Sequence, residues 1–276
     1  MIDINLNRLQ EITIILYGLS VLFYFIDFLQ NNRKAHKAAF WFLSIVWLMQ
    51  TIFLCLYMFE VGRFPVLTLF EGLYFYVWIL ITFSLILNRI IRTDFFMFFT
   101  NVIGFGLMVI HIFSTLESYS TAEAQTKVLS ELSMIHITVA ILSYAAFALS
   151  FVFSILYLIQ YDLLKRKKWG KRLNRLGDLA KLEQLSYILV AIGVPLLLLS
   201  LILGLEWAYI IVSDINWYDS KILGSFACLI IYGIYLYLKV NNRIYGKSLA
   251  YWNIGSFLLV LVNFFFFGSI SAFHVY

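Results

Sequence analysis

Charge is scarce in this sequence. Of its 276 residues, 20 are Lys or Arg and 15 are Asp or Glu, or 13%, against roughly 25% in a soluble domain. Hydrophobic residues make up 63%, against roughly 45–50%, and a soluble fold of this size could not bury that much apolar surface. Proline occurs only at 65 and 195, so long helices can run almost uninterrupted. The two cysteines, Cys55 and Cys228, have no CxxC partner and no CxxCH motif. That removes support for thiol redox chemistry or covalent haem attachment and leaves them as small packing residues. No phosphate-binding glycine loop, zinc-type spacing of His and Cys or activated nucleophile is visible. The chain is therefore read as non-enzymatic, with no catalytic residue assigned and no nucleic-acid partner expected.

What is present is a series of apolar blocks near the roughly 20 residues needed to cross a hydrocarbon core. They cover approximately 10–29, 38–58, 67–88, 94–114, 133–160, 185–212, 221–238 and 250–272. Lipid offers no water to backbone N–H and C=O groups, so blocks without strict alternation must be helices. The expected fold is an all-α, polytopic bundle of about eight transmembrane helices forming one domain over 1–276. The first block is flanked by Asp3, Arg8 and Glu11, lacks a basic leader and a small-residue cleavage site, and is expected to be a retained helix.

Lys and Arg fall mainly in one alternate set of loops, from Arg33 to Lys247. Only Arg8, Arg63, Lys127 and Lys221 lie in the other set. The positive-inside rule makes the first set cytoplasmic and puts both termini outside. The net charge of +5 is then mostly an insertion signal and a contact with anionic lipid. The longest cytoplasmic connection, 163–184, interleaves leucines with cations around Trp169. It suits an amphipathic helix on the bilayer surface or, alternatively, a docking segment for a cytosolic partner.

Topology sorts the four histidines. His36 sits among Arg33, Lys34 and Lys37 in the first cytoplasmic loop, where a solvated or lipid-facing role is expected. His111, His136 and His274 share a depth near the outer surface. Two imidazoles at matched depth suit axial ligation of haem iron. Trp207, Tyr209, Trp217 and Tyr218 offer rings for the porphyrin faces, and Arg63 and Lys221 are the outer cations available to propionates. Glu71, Glu206 and Asp219 should face the bundle interior, a water-filled vestibule or the headgroups, with a structural hydrogen-bonding role expected for the two glutamates.

Several of these segments resemble the cytochrome c assembly superfamily. His136 to Phe147, HITVAILSYAAF, is similar to the family motif HxxxxxLSYAAF, and His274 in AFHVY follows the last span as the family's second ligand histidine does. Phe64 to Phe75, FPVLTLFEGLYF, resembles FPLxNLYESLxF and keeps Pro65 and Glu71. Trp207 to Lys221, WAYIIVSDINWYDSK, aligns with the haem-presenting loop WAxxxWGxYWxWDPK. Trp207, Ala208, Asp219 and Lys221 are retained there, whereas Val212, Asn216 and Tyr218 replace tryptophans and Ser220 replaces proline. Tyr237 in IYLYLK stands where the family pattern IYLHTR has a histidine.

The resemblance implies non-covalent, b-type haem held between His136 and His274, without the full presenting surface of a cytochrome c synthase. The stretch NRLQEITIILYGLSVLFYFIDFLQNNRKA resembles a short eight-span branch from Gram-positive bacteria. That likeness implies a membrane regulator that lowers the level of glutamyl-tRNA reductase, its cytosolic partner, through the 163–184 connection. The competing expectation is a transporter or chaperone that delivers haem to the outer face, and a third is a scaffold keeping the histidines as relics.

Overall fold

A computed structural model of the chain describes residues 2–90, 94–115, 127–167, 173–211 and 217–267. Among them the structure is helical, with α1 Ile2–Gln30, α2 Arg33–Val61, α3 Leu69–Ile90, α4 Asp94–Thr115, α5 Lys127–Lys165, α6 Leu173–Leu176, α7 Leu179–Ile211, α8 Ser220–Val240 and α9 Lys247–Val262, the last passing into a π-turn, Asn263–Phe267. All but the one-turn α6 are long and apolar enough to cross a membrane. The expected all-α architecture with eight spans is what the chain adopts. The helices overrun several expected boundaries, α5 by a turn or more at each end, because composition marks only the apolar middle of a helix.

Local chemistry sets the helix ends. Asn32 caps α2 by accepting the N–H groups of Lys34 and Ala35 at 3.0 and 3.4 Å, and Gly62 ends it in the left-handed region at φ 69°. Thr68 and Glu71 form a capping box for α3. The Thr68 hydroxyl accepts the Glu71 N–H at 3.2 Å while the Glu71 carboxylate accepts the N–H groups of Thr68 and Leu67 at 3.2 and 2.8 Å. Asp219 caps α8 by accepting the Lys221 N–H at 2.8 Å.

The chain forms two compact units. In the first, α1 packs on α2, α2 on α3, α3 on α4 and α4 back on α1, with α6 against α4. Apolar side chains cannot distinguish a neighbouring helix from lipid, so polar contacts specify the pairing. Trp47 donates to Thr82 at 2.8 Å and Trp78 to Thr51 at 2.9 Å between α2 and α3, and Tyr17 donates to Asn101 at 3.2 Å between α1 and α4. Residues such as Trp41 and Phe59, 68% and 80% exposed, present the apolar outer surface that lipid solvates.

In the second unit, α5 packs most extensively on α7, and α7, α8 and α9 close the ring back to α5. The Asn253 amide nitrogen lies 2.7, 2.8 and 3.0 Å from the hydroxyls of Ser150, Ser154 and Ser186, tying α9 to α5 and α7. Pro195 stands inside α7, and two residues before it Ser143 donates to the Gly193 carbonyl at 2.8 Å, tying α5 to α7. Gly193 also leaves room for the Phe147 ring, which stacks on Tyr232 at 3.9 Å. Glu183 joins three helices by accepting Lys239 and the Gly246 N–H.

Residues 168–172 of the 163–184 connection, with Trp169, lie outside the described residues, and the described remainder is not one continuous surface helix. α5 runs to Lys165, α6 is one turn, and α7 already begins at Leu179. Residues 173–177 belong with the first unit, whereas α5 and α7 belong to the second. The reason lies in Arg175, whose guanidinium bonds both oxygens of Asp27 at 2.8 and 2.6 Å and lies 5.1 Å over the Phe95 ring. His36 is likewise drawn inward, with its Nδ1 3.1 Å from Asp27 and its ring edge-on to Tyr24, rather than solvated or facing lipid.

Candidate functional site

The second unit contains both His136 and Lys221. His136 projects from the first turns of the apolar part of α5 onto α7, where its Nδ1 is 2.6 Å from the Ser200 carbonyl oxygen and 3.1 Å from the Ser200 hydroxyl. The same hydroxyl lies 3.2 Å from the His136 carbonyl oxygen. The ring lies against the bare Cα of Gly204. Ser200 and Gly204 are one turn apart, a small-residue spacing that lets helices approach closely, and sequence reasoning passed over both.

Lys221 stands in the first turn of α8, in the same unit as His136. It donates to the Asn263 carbonyl at 2.9 Å and lies 5.7 Å over the Phe264 ring. Asn263 is in turn held by Tyr144 and Ser225, which its amide meets at 3.2 and 3.1 Å. Lys221 is therefore seated at the start of the π-turn, a helix variant frequent at functional sites. The chain continues from that turn toward His274, which lies outside the described residues.

The aromatic candidates divide between two faces of α7. Trp207 follows Ser200 and Gly204 at i+7 and i+3, on the side that receives His136. Trp217 and Tyr209, 57% and 78% exposed, instead border an open concavity of about 400 Å³ with Glu206, Leu205 and Ile202. Those α7 residues project from the opposite side of the helix. Tyr218 is 86% exposed.

Arg63 belongs to the first unit, where both of its terminal nitrogens meet the Glu71 carboxylate at 2.9 Å. Tyr57 donates to the same carboxylate at 3.4 Å. Glu71 is thus a capping and ion-pairing residue, and the TxxE spacing in TLFE was the signal for it. His111 is fully buried in the same unit, its ring stacked 4.0 Å from Phe70 and its Nδ1 3.0 Å from the Phe70 carbonyl oxygen. Of the cysteines, Cys228 is buried as a packing residue should be, while Cys55 is exposed on α2.

Eight spans with an imidazole anchored between two of them define a multi-pass bacterial membrane protein. Its family follows from comparison: the Cytochrome C assembly protein family matches residues 66–274, and the chain belongs to that family. It is 56% identical over 274 residues to Protein HemX of Bacillus subtilis strain 168, with 99% of each chain covered. It is 42% identical over 267 residues to Protein HemX of Brevibacillus brevis, covering 96% of this chain and 97% of that protein. Similarity extends to the cytochrome c biogenesis protein CcsA of Mesostigma viride, 25% identical over 275 residues, with 91% and 87% covered.

Proposed function

We propose that this chain is a non-enzymatic haem-binding membrane protein that lowers the level of glutamyl-tRNA reductase. Haem would be held non-covalently by His136 and His274. The observation that carries the reading is the His136 seat, an imidazole fixed through Nδ1 against α7. A metal-binding histidine commonly bonds a backbone carbonyl through its other nitrogen in this way. The regulatory part rests on the likeness of the N-terminal stretch to the short eight-span branch from Gram-positive bacteria.

The residues fit the group unequally. Lys221 would be the cation offered to a propionate, by leaving the Asn263 carbonyl, and Trp207 follows the side of α7 that carries Ser200 and Gly204. Arg63 could serve only by releasing Glu71, and Trp217 only from the concavity it now borders. Bound haem would supply an iron porphyrin whose occupancy follows haem supply. With the basic loops in the cytoplasm, α5 and α7 connect the His136 site to the two ends of the 163–184 segment. Such coupling requires haem to bind two conformations unequally.

Reductase capture by detergent-purified protein with and without haem tests the proposal, and equal capture in the two states removes the coupling. Membership of the cytochrome c assembly family favours a second reading, delivery of haem to the outer face. Loss of c-type cytochromes on deletion, with reductase levels unchanged, would select that reading. Tyr237, which replaces the family's internal histidine, is 61% exposed on α8, so the delivery route would have to do without that ligand.

A further inference from the structure

Ser200 has two oxygens within reach of one imidazole nitrogen, and their proton inventory fixes the state of the ring. The carbonyl oxygen, 2.6 Å from His136 Nδ1, can only accept. The hydroxyl, 3.1 Å from Nδ1, has a single proton, and its donor geometry is met by the His136 carbonyl oxygen at 3.2 Å. Its lone pairs therefore also face Nδ1. A bare Nδ1 would set its own lone pair against two oxygens at those distances, whereas a protonated Nδ1 satisfies both. A neutral ring protonated there carries its free lone pair on Nε2.

Gly204 completes the seat. A Cβ at this position would stand 2.6 Å from Cε1, 2.8 Å from Nδ1 and 3.2 Å from Nε2 of the ring. Any side chain would lift the imidazole away from the Ser200 carbonyl.

We infer that Ser200 and Gly204 are positioning residues that lock His136 in the Nδ1–H tautomer, making Nε2 the atom offered to a metal and biasing bound haem toward ferric iron. The last part rests on the haem reading above. An Nδ1–H that donates to a carbonyl makes Nε2 a stronger donor, and a stronger donor favours the higher charge on iron.

The test uses the full chain in detergent micelles, labelled with ¹⁵N-histidine and free of haem. His136 is assigned among the four histidines by loss of its signals in His136→Gln. The expected wild-type spectrum has a protonated Nδ1 and an unprotonated Nε2, and in Gly204→Ala the two signals move toward an exchange average. An Nε2–H tautomer, a doubly protonated ring or an averaged pair in the wild type would overturn the inference, as would an unchanged pattern in folded Gly204→Ala. Should Gly204→Ala not fold, Ser200→Ala removes one of the two acceptors and is expected to give a smaller shift in the same direction; no shift would overturn it.

Haem-loaded samples test the iron bias separately: Ser200→Ala is expected to have a more positive midpoint potential than wild type, and an unchanged or more negative one contradicts it. If the protein takes up no haem, the function proposed above fails while the nitrogen spectrum still decides the tautomer.

Discussion

Arg175 and Asp27, 148 residues apart in the chain, form a two-bond ion pair in which both side chains are at least nine-tenths buried. It fastens the segment between α5 and α7 to the helices that precede α5. Asp27→Asn would leave the guanidinium buried with a neutral partner, a change that costs about 3–5 kcal/mol when one member of such a pair is removed. Thermal unfolding in detergent should show the loss, and trypsin should cut faster among the basic residues around 165–175. Replacing Arg175 with Gln in the same chain should restore part of the stability.

Glu71 serves a capping box and an ion pair at once. Glu71→Gln should destabilise the protein by about 1.5–3 kcal/mol, the range for hydrogen bonds to a charged group, measured by thermal denaturation.

Lys221 and Arg63 should separate in a haem-retention assay. Lys221→Ala is expected to weaken haem retention roughly tenfold, about 1.4 kcal/mol. Arg63→Ala should leave retention near wild type and lower stability instead, because its guanidinium is committed to Glu71. Equal loss of haem in the two variants would contradict the assignment of Lys221 as the propionate partner.

At the centre of the second unit, Gly193→Ala would put a Cβ 2.6 Å from the Phe147 ring. Because that ring is stacked flat on Tyr232, it has little room to retreat. Overpacking of this kind costs about 1–3 kcal/mol, readable as a lower midpoint of thermal unfolding.

Much of the architecture was legible because lipid narrows the choice so severely: an apolar block of about 20 residues has only the helix available to it. His136 and Lys221 were visible as candidates, one through its motif and one through its rarity as an outer cation. The grouping of helices was not legible, since a leucine facing lipid is chemically the same as one facing a neighbour. The docking of α6 was missed for another reason. Asp27 is an acidic residue inside an apolar span, which by itself calls for a buried partner, yet nothing local points to a cation 148 residues away. Arg63 looked available for the same reason, because its pairing with Glu71 depends on how the chain turns between α2 and α3.

The absorption spectrum of the detergent-purified protein, for the wild type and for His136→Ala and His274→Ala, tests the haem assignment most directly. A Soret band in the wild type that is lost or shifted in each variant is the expected result. A band that survives unchanged in both variants, or no band in wild type supplied with haem, would contradict ligation by these two histidines.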